Sequence, residues 1–128
     1  MFPDSIFVSD SLYTDKILVS YHAPKNYGLK PDFDIEARGE NPLCGDAILI
    51  RVTFDKEKNK IQEISFESRG CVIGKAAASL LFENVKGRTR EEVSALSSGD
   101  IVDILGISIS PIRLKCALLP LEVIQKAM

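Results

Sequence analysis

The sequence predicts an α+β domain: a small antiparallel sheet of about three strands with helices packed on one face. Three observations carry this. Residues 10–22 have helical spacing, residues 34–67 contain β-rich segments, and from residue 72 onward capped, helix-forming segments follow one another. The order is helix, strands, then helices, which suits helices segregated to one side of a hairpin-built sheet.

Each element has its own grounds. In residues 10–22, Ser9 or Asp10 can cap, and Leu12, Ile17 and Tyr21 share a helical face. Asn26-Tyr27-Gly28 and then Pro31 end that element. Asp34 to Arg38 is expected as a short edge strand. Ala47 to Phe54 is rich in β-branched residues and predicts a strand, and Lys60 to Glu67 predicts another, with an alternation that slips by one. The polar stretch Asp55 to Asn59 joins them as a hairpin tip. Val72 to Asn84 holds three successive alanines and strong helix formers. Thr89-Arg90-Glu91-Glu92 has the form of a capping box, and Asp100 to Leu105 adds a short helical turn. Ser110-Pro111 reads as the N-cap and first-turn proline of a last helix reaching about Lys126. Inside it, Pro120 has no N–H to offer the carbonyl of Cys116, and a local kink is expected there.

Composition sets the class. The 128 residues are 45% hydrophobic and 27% charged, enough for one core, and residues 1–128 read as a single domain without repeats or long linkers. A net charge of −2 leaves no broad basic surface, which argues against nucleic acid as a partner. No apolar run approaches the roughly 18–20 residues that span a bilayer. Met1 to Asp10 has neither a basic n-region nor a long apolar stretch, so no membrane association and a cytoplasmic location are expected. In that compartment thiols stay reduced, and the three cysteines read as ligands, nucleophiles or buried apolar groups rather than disulfide partners.

The settings of those cysteines differ. Cys44 lies in Asn41-Pro42-Leu43-Cys44-Gly45-Asp46, a turn-forming loop running into a strand, where Cys44 and Asp46 are two apart and can face one centre. Cys71 follows Gly70 at a strand-to-helix junction, where the helix dipole favours a thiolate. Cys116 sits in the last helix beside Lys115; taken alone, between Leu114 and Leu118, it reads as packing. Cys44 by contrast has neighbours that suit a site better than a core, and Cys71 fits either description. No Cys-x-x-Cys pair is present, so a zinc ribbon or thioredoxin-like motif is excluded. His22 is the one histidine, which excludes histidine-rich centres and reads as a surface residue. No glycine-rich phosphate loop is present.

Together these segments resemble the U-type iron–sulfur scaffold family, the IscU, NifU N-terminal and SufU proteins. Tyr21 with Pro24-Lys25-Asn26-Tyr27-Gly28 is similar to the family's Pro-Arg-Asn-Val-Gly segment. Asn41 to Asp46 resembles its Asn-Pro-x-Cys-Gly-Asp loop, and Gly70-Cys71-Val72-Ile73 with Ala76-Ala77-Ala78-Ser79 resembles its Gly-Cys-x-Ile helix start. Ser110 to Ala117 resembles the segment bearing the third cysteine. The resemblance implies Cys44, Asp46, Cys71 and Cys116 as the ligands of zinc or a transient [2Fe–2S] cluster. It implies a cysteine desulfurase as sulfur source, apo iron–sulfur proteins as acceptors, and a scaffold or carrier rather than a turnover enzyme. The alternatives are a zinc-dependent sulfurtransferase, with Cys116 as persulfide acceptor and no cluster built, and a structural zinc domain.

Two positions depart from the IscU pattern. Lys115 stands where IscU-type members have histidine, as in SufU-type members, yet the insertion typical of SufU between the second and third cysteines is missing. A protonated lysine does not ligate metal, so Lys115 is expected as a counter-charge paired with Asp46, or else as a solvated helix lysine. Ile109-Ser110-Pro111-Ile112-Arg113 replaces the Leu-Pro-Pro-Val-Lys that IscU-type members present to a dedicated Hsp70 chaperone, which argues against that partner.

Overall fold

Residues 46–54 alternate strictly between buried and half-exposed side chains, the signature of a strand with one face on a core. In the computed structural model, which describes residues 15–42 and 45–128, this segment is the middle strand of a three-stranded antiparallel sheet. Strand β1 is Ile35–Asn41, β2 is Asp46–Phe54 and β3 is Ile61–Arg69, in the order β1-β2-β3. The helices are α1 Asp15–His22, α2 Val72–Val85, α3 Arg90–Ser94, α4 Ser98–Leu105 and α5 Pro111–Ala127. The predicted α+β class and the sheet of about three strands are what the structure shows. The expected start of the first helix, with Ser9, Asp10 and Leu12, lies outside the described residues.

The slip in the third strand's pattern is a β-bulge. Thr53 pairs with Glu63, but Phe54 pairs with Ile61, so Gln62 is the extra residue and the alternation shifts across it. The edge strand runs on to Asn41, three residues beyond its predicted end, because it pairs in continuous register with β2 from Ile35↔Val52 to Asn41↔Asp46. At the β2–β3 tip, Asp55 Oδ1 accepts the N–H groups of Asn59 (2.9 Å) and Lys60 (3.2 Å).

One face of the sheet carries the core. Ile48, Ile50, Val52, Ile64 and Phe66 pack beneath α2 and α5, with Phe66 and Phe82 edge to face at 5.3 Å between ring centroids. Helix α2 is buried on most of its surface, and its Ala76-Ala77-Ala78 run lets neighbouring helices approach closely. The predicted Thr89–Glu92 capping box is formed in both directions, at 3.1 and 2.8 Å. Ser110 caps α5, which stays helical across Pro120.

The segment after α1 does something the sequence pattern did not show. Asn26 and Gly28 adopt positive φ (68° and 99°), and the backbone there bonds to both sides of Phe66, covering the free edge of β3. It then crosses the open face of the sheet. Lys30 N–H donates to Ser65 Oγ (3.1 Å), Arg51 Nη1 donates to the Lys30 carbonyl (2.8 Å), and Asp34 N–H reaches Val52 O (2.8 Å). Ser65 is buried on that account, although it points away from the apolar core.

Candidate metal centre

Three elements end at one point. Asp46 opens β2, Cys71 is the N-cap of α2, separated from β3 by Gly70 alone, and Cys116 lies in the second turn of α5. One ligand atom from each lies within 4.8 Å of the others. Asp46 and Cys116 are buried, at 4% and 3% exposure, while Cys71 is half-exposed, so the group is reached through Cys71.

The second-strand residue is held from two sides. Cys71 N–H donates to Asp46 Oδ1 at 2.9 Å, and the Cys71 thiol stands 3.9 Å from Asp46 Oδ2. Gly74 N–H in turn donates to Cys71 Sγ at 3.4 Å, the sulfur capping its own helix. Gly70 makes room for this arrangement: its φ is +127°, and a Cβ there would lie 1.8 Å from Asp46 Oδ1. Cys116 Sγ donates to the Ile112 carbonyl at 3.9 Å. The Cys116 carbonyl, which Pro120 cannot serve, lies against Gly74, where a Cβ would be 3.5 Å from it.

The donor set fits a soft metal centre. Zinc takes thiolate sulfur at about 2.3 Å and carboxylate oxygen at about 2.0–2.2 Å, which places tetrahedral donors roughly 3.5–3.8 Å apart. The observed 3.9 Å between Cys71 Sγ and Asp46 Oδ2 is already near that spacing. A cavity of about 10 Å³ between Asp46, Cys71 and Cys116 has room for one small atom.

Of the four predicted ligands, the structure brings Asp46, Cys71 and Cys116 together; Cys44 lies outside the described residues. Asn41 and Asp46 face one another in register, so the β1–β2 ladder closes at the end of the sheet where Asp46 stands. The expected pairing of Lys115 with Asp46 is not formed among the described residues. Lys115 is exposed and lines a separate depression with Glu40, Pro42 and Glu122, because its position on α5 faces away from the buried Cys116. Sequence reasoning placed Gly70 before Cys71 without giving it a role, and passed over Lys75. The signal for Gly70 was its place directly before a helix-capping cysteine; Lys75 has a weaker one, a lone charge in the apolar run 72–82.

An α+β domain gathering thiols and a carboxylate at one end of its sheet belongs to the class of small proteins that hold a metal or cluster through cysteine. Residues 12–128 match the NifU-like N-terminal domain family, and the chain belongs to that family. It is 31% identical to the zinc-dependent sulfurtransferase SufU of Bacillus subtilis, over 91% of this chain and 89% of that protein. It is 32% identical to the iron–sulfur cluster assembly scaffold protein IscU of Aquifex aeolicus, over 90% of this chain and 73% of that one. With the nitrogen fixation protein NifU of a Nostoc species it shares 32% identity over 90% of its own length but spans only 40% of that protein. Among solved structures, a scaffold protein of the SUF system from Fervidobacterium islandicum superposes with a TM-score of 0.79 at 25% identity, covering 92% of this chain and 97% of that one. No helix among the described residues is long and apolar enough to cross a membrane.

Proposed function

We propose that this chain is a carrier in iron–sulfur cluster assembly, holding a nascent [2Fe–2S] cluster or zinc through Cys44, Asp46, Cys71 and Cys116 and passing its cargo to acceptor proteins. The observation that supports it most is the convergence of Asp46, Cys71 and Cys116 within 4.8 Å at the meeting of β2, α2 and α5. Soft thiolates suit iron–sulfur and zinc, and the hard carboxylate is the weaker ligand to a soft cluster, which suits a site that gives up what it holds. A cysteine desulfurase supplies sulfur, apo iron–sulfur proteins receive the cluster, and the cytoplasm is the expected compartment. On this reading the chain turns over no substrate of its own.

The SufU likeness supports a second reading, a zinc-dependent sulfurtransferase. In it the Cys116 thiolate attacks the outer sulfur of the desulfurase's persulfide. A new S–S bond forms on Cys116 as the old one breaks, the desulfurase thiolate leaves, and no net oxidation occurs.

Anaerobic reconstitution with a desulfurase, iron and cysteine, on the wild type and on Cys44→Ser, Cys71→Ser and Cys116→Ser, separates the readings. Iron–sulfur absorbance in the wild type, lost in each variant, supports the carrier. Sulfur gained on Cys116 without that absorbance supports the sulfurtransferase. Tight zinc with neither activity, and unfolding on its removal, would leave only a structural zinc domain.

A further inference from the structure

Lys75 lies one turn beyond Cys71 on α2, the one charged residue in a helix whose only other polar side chain through Leu80 is Ser79. Its ammonium stands 4.4 Å from the ring centroid of Tyr27 and 5.2 Å from that of Tyr21. The rings come from two different segments, α1 and the loop after it, so the lysine is gripped rather than simply placed on a surface. Such contacts strengthen as the site is desolvated. Lys75 is half-buried and makes no ion pair with a carboxylate among the described residues. It lines the cavity shared by Asp46, Cys71 and Cys116.

Loaded through the ligand set proposed above, the centre is anionic. Three thiolates and one carboxylate around a divalent ion or a [2Fe–2S]²⁺ core leave a net charge of about −2. A second donor lines the same space: Ser68 Oγ is buried and has no hydrogen-bond partner among the described residues. Two cations, Lys75 and Arg69, and a hydroxyl without an acceptor thus share one cavity with the sulfur ligands; Arg69 is exposed, while Lys75 is half-buried and held by the two rings.

We propose that Lys75, held by the rings of Tyr21 and Tyr27, is the counter-charge of the anionic sulfur centre, with the Ser68 hydroxyl as a donor to the same sulfur atoms. It is a positioning residue, acting on the thiolates through their field, and it takes the part that the exposed Lys115 does not fill. The inference rests on the proposed carrier function but concerns charge at the cysteines, which is read without a cluster.

The test compares two alkylating reagents, anionic iodoacetate and neutral iodoacetamide, on the chelator-treated full chain, with modification at Cys71 followed by mass spectrometry. A cation beside the sulfur accelerates the anionic reagent selectively, so the ratio of the two rates reports it. Lys75→Met is expected to lower that ratio about fivefold, the size of one unit charge at several ångströms in a partly screened site. Lys75→Arg keeps the ratio, and 1 M salt narrows the wild-type value. A packing defect moves both rates together and leaves the ratio alone. Should Lys75→Met fail to fold by circular dichroism, Lys75→Gln takes its place. An unchanged ratio in a folded variant overturns the proposal. A wild type that shows the ratio effect yet loads neither zinc nor cluster sinks the carrier reading and leaves the counter-charge standing.

Discussion

The backbone N–H of Cys71 donates to Asp46 Oδ1 at 2.9 Å, tying the first residue of β2 to the N-cap of α2 across the gap between them. One carboxylate oxygen is thereby engaged by the backbone, and the other, Oδ2, is left 3.9 Å from the Cys71 thiol. The strand and the helix set the ligand geometry together, and a shift in either moves both groups.

Gly70→Ala tests that coupling. A Cβ at this position would collide with the Asp46 carboxylate, and φ of +127° is a conformation that an L side chain rarely adopts. The variant is expected to lose about 1–3 kcal/mol of stability from backbone strain and, separately, to bind zinc more weakly because Asp46 is displaced. Urea unfolding and competition with a chromophoric chelator measure the two effects. Zinc affinity equal to that of the wild type would show that Asp46 is not a ligand.

Asp46→Ala removes the carboxylate without adding bulk. If its weaker hold on a soft centre is what permits release, the variant should keep a reconstituted cluster longer and transfer it more slowly to an apo acceptor. The decay of visible absorbance and the rate of acceptor loading report this. Unaltered lifetime and transfer would remove the carboxylate from the release step.

Much of this arrangement is legible in the amino-acid order. Gly70-Cys71 stands where a strand pattern gives way to a helix pattern, and the slip in residues 60–67 corresponds to the bulge at Gln62. Thr89 and Glu92 name their own cap. What could not be read depends on contacts distant in the chain. Ser65 is buried only because residues 28–34 cross over it, and Gly70 matters only because Asp46, 24 positions earlier, occupies the space a side chain would need. Lys75 and Lys115 look alike as letters; the rings of Tyr21 and Tyr27 distinguish them.

Gly39→Ala is a contrasting case in β1. Its φ is unremarkable, but a Cβ would come within 2.4 Å of Val123 Cγ2, and a branched valine has little freedom to move aside. Overpacking between β1 and α5 should cost about 1–3 kcal/mol in urea unfolding. The zinc stoichiometry is expected to match the wild type, because the clash strikes the helix side chain and not Asp46. Loss of zinc alongside stability would show that α5 transmits the displacement to Cys116.

Acid should destabilise the fold independently of the metal. Four carboxyls are held below their ordinary range: Asp34 by hydrogen bonds from Lys58 and the Phe54 N–H, Asp55 by the Asn59 and Lys60 N–H groups, Glu63 chiefly by Lys30, and Glu92 by the Thr89 N–H. Because each folded value lies below its unfolded one, their stabilisation is complete above the ordinary carboxylate range of about 3.9–4.3 and is lost as pH falls through the folded values. The urea midpoint of the chelator-treated chain is therefore expected to be steady with respect to these groups from pH 7 to 5 and to drop below about pH 4. Working without metal matters, since protons also compete with metal for the thiolates and would add a second acid transition. Asp55→Asn should make the low-pH slope shallower, because the amide oxygen can still accept the Asn59 N–H but no longer titrates. An identical slope in that variant would assign the acid transition to other groups.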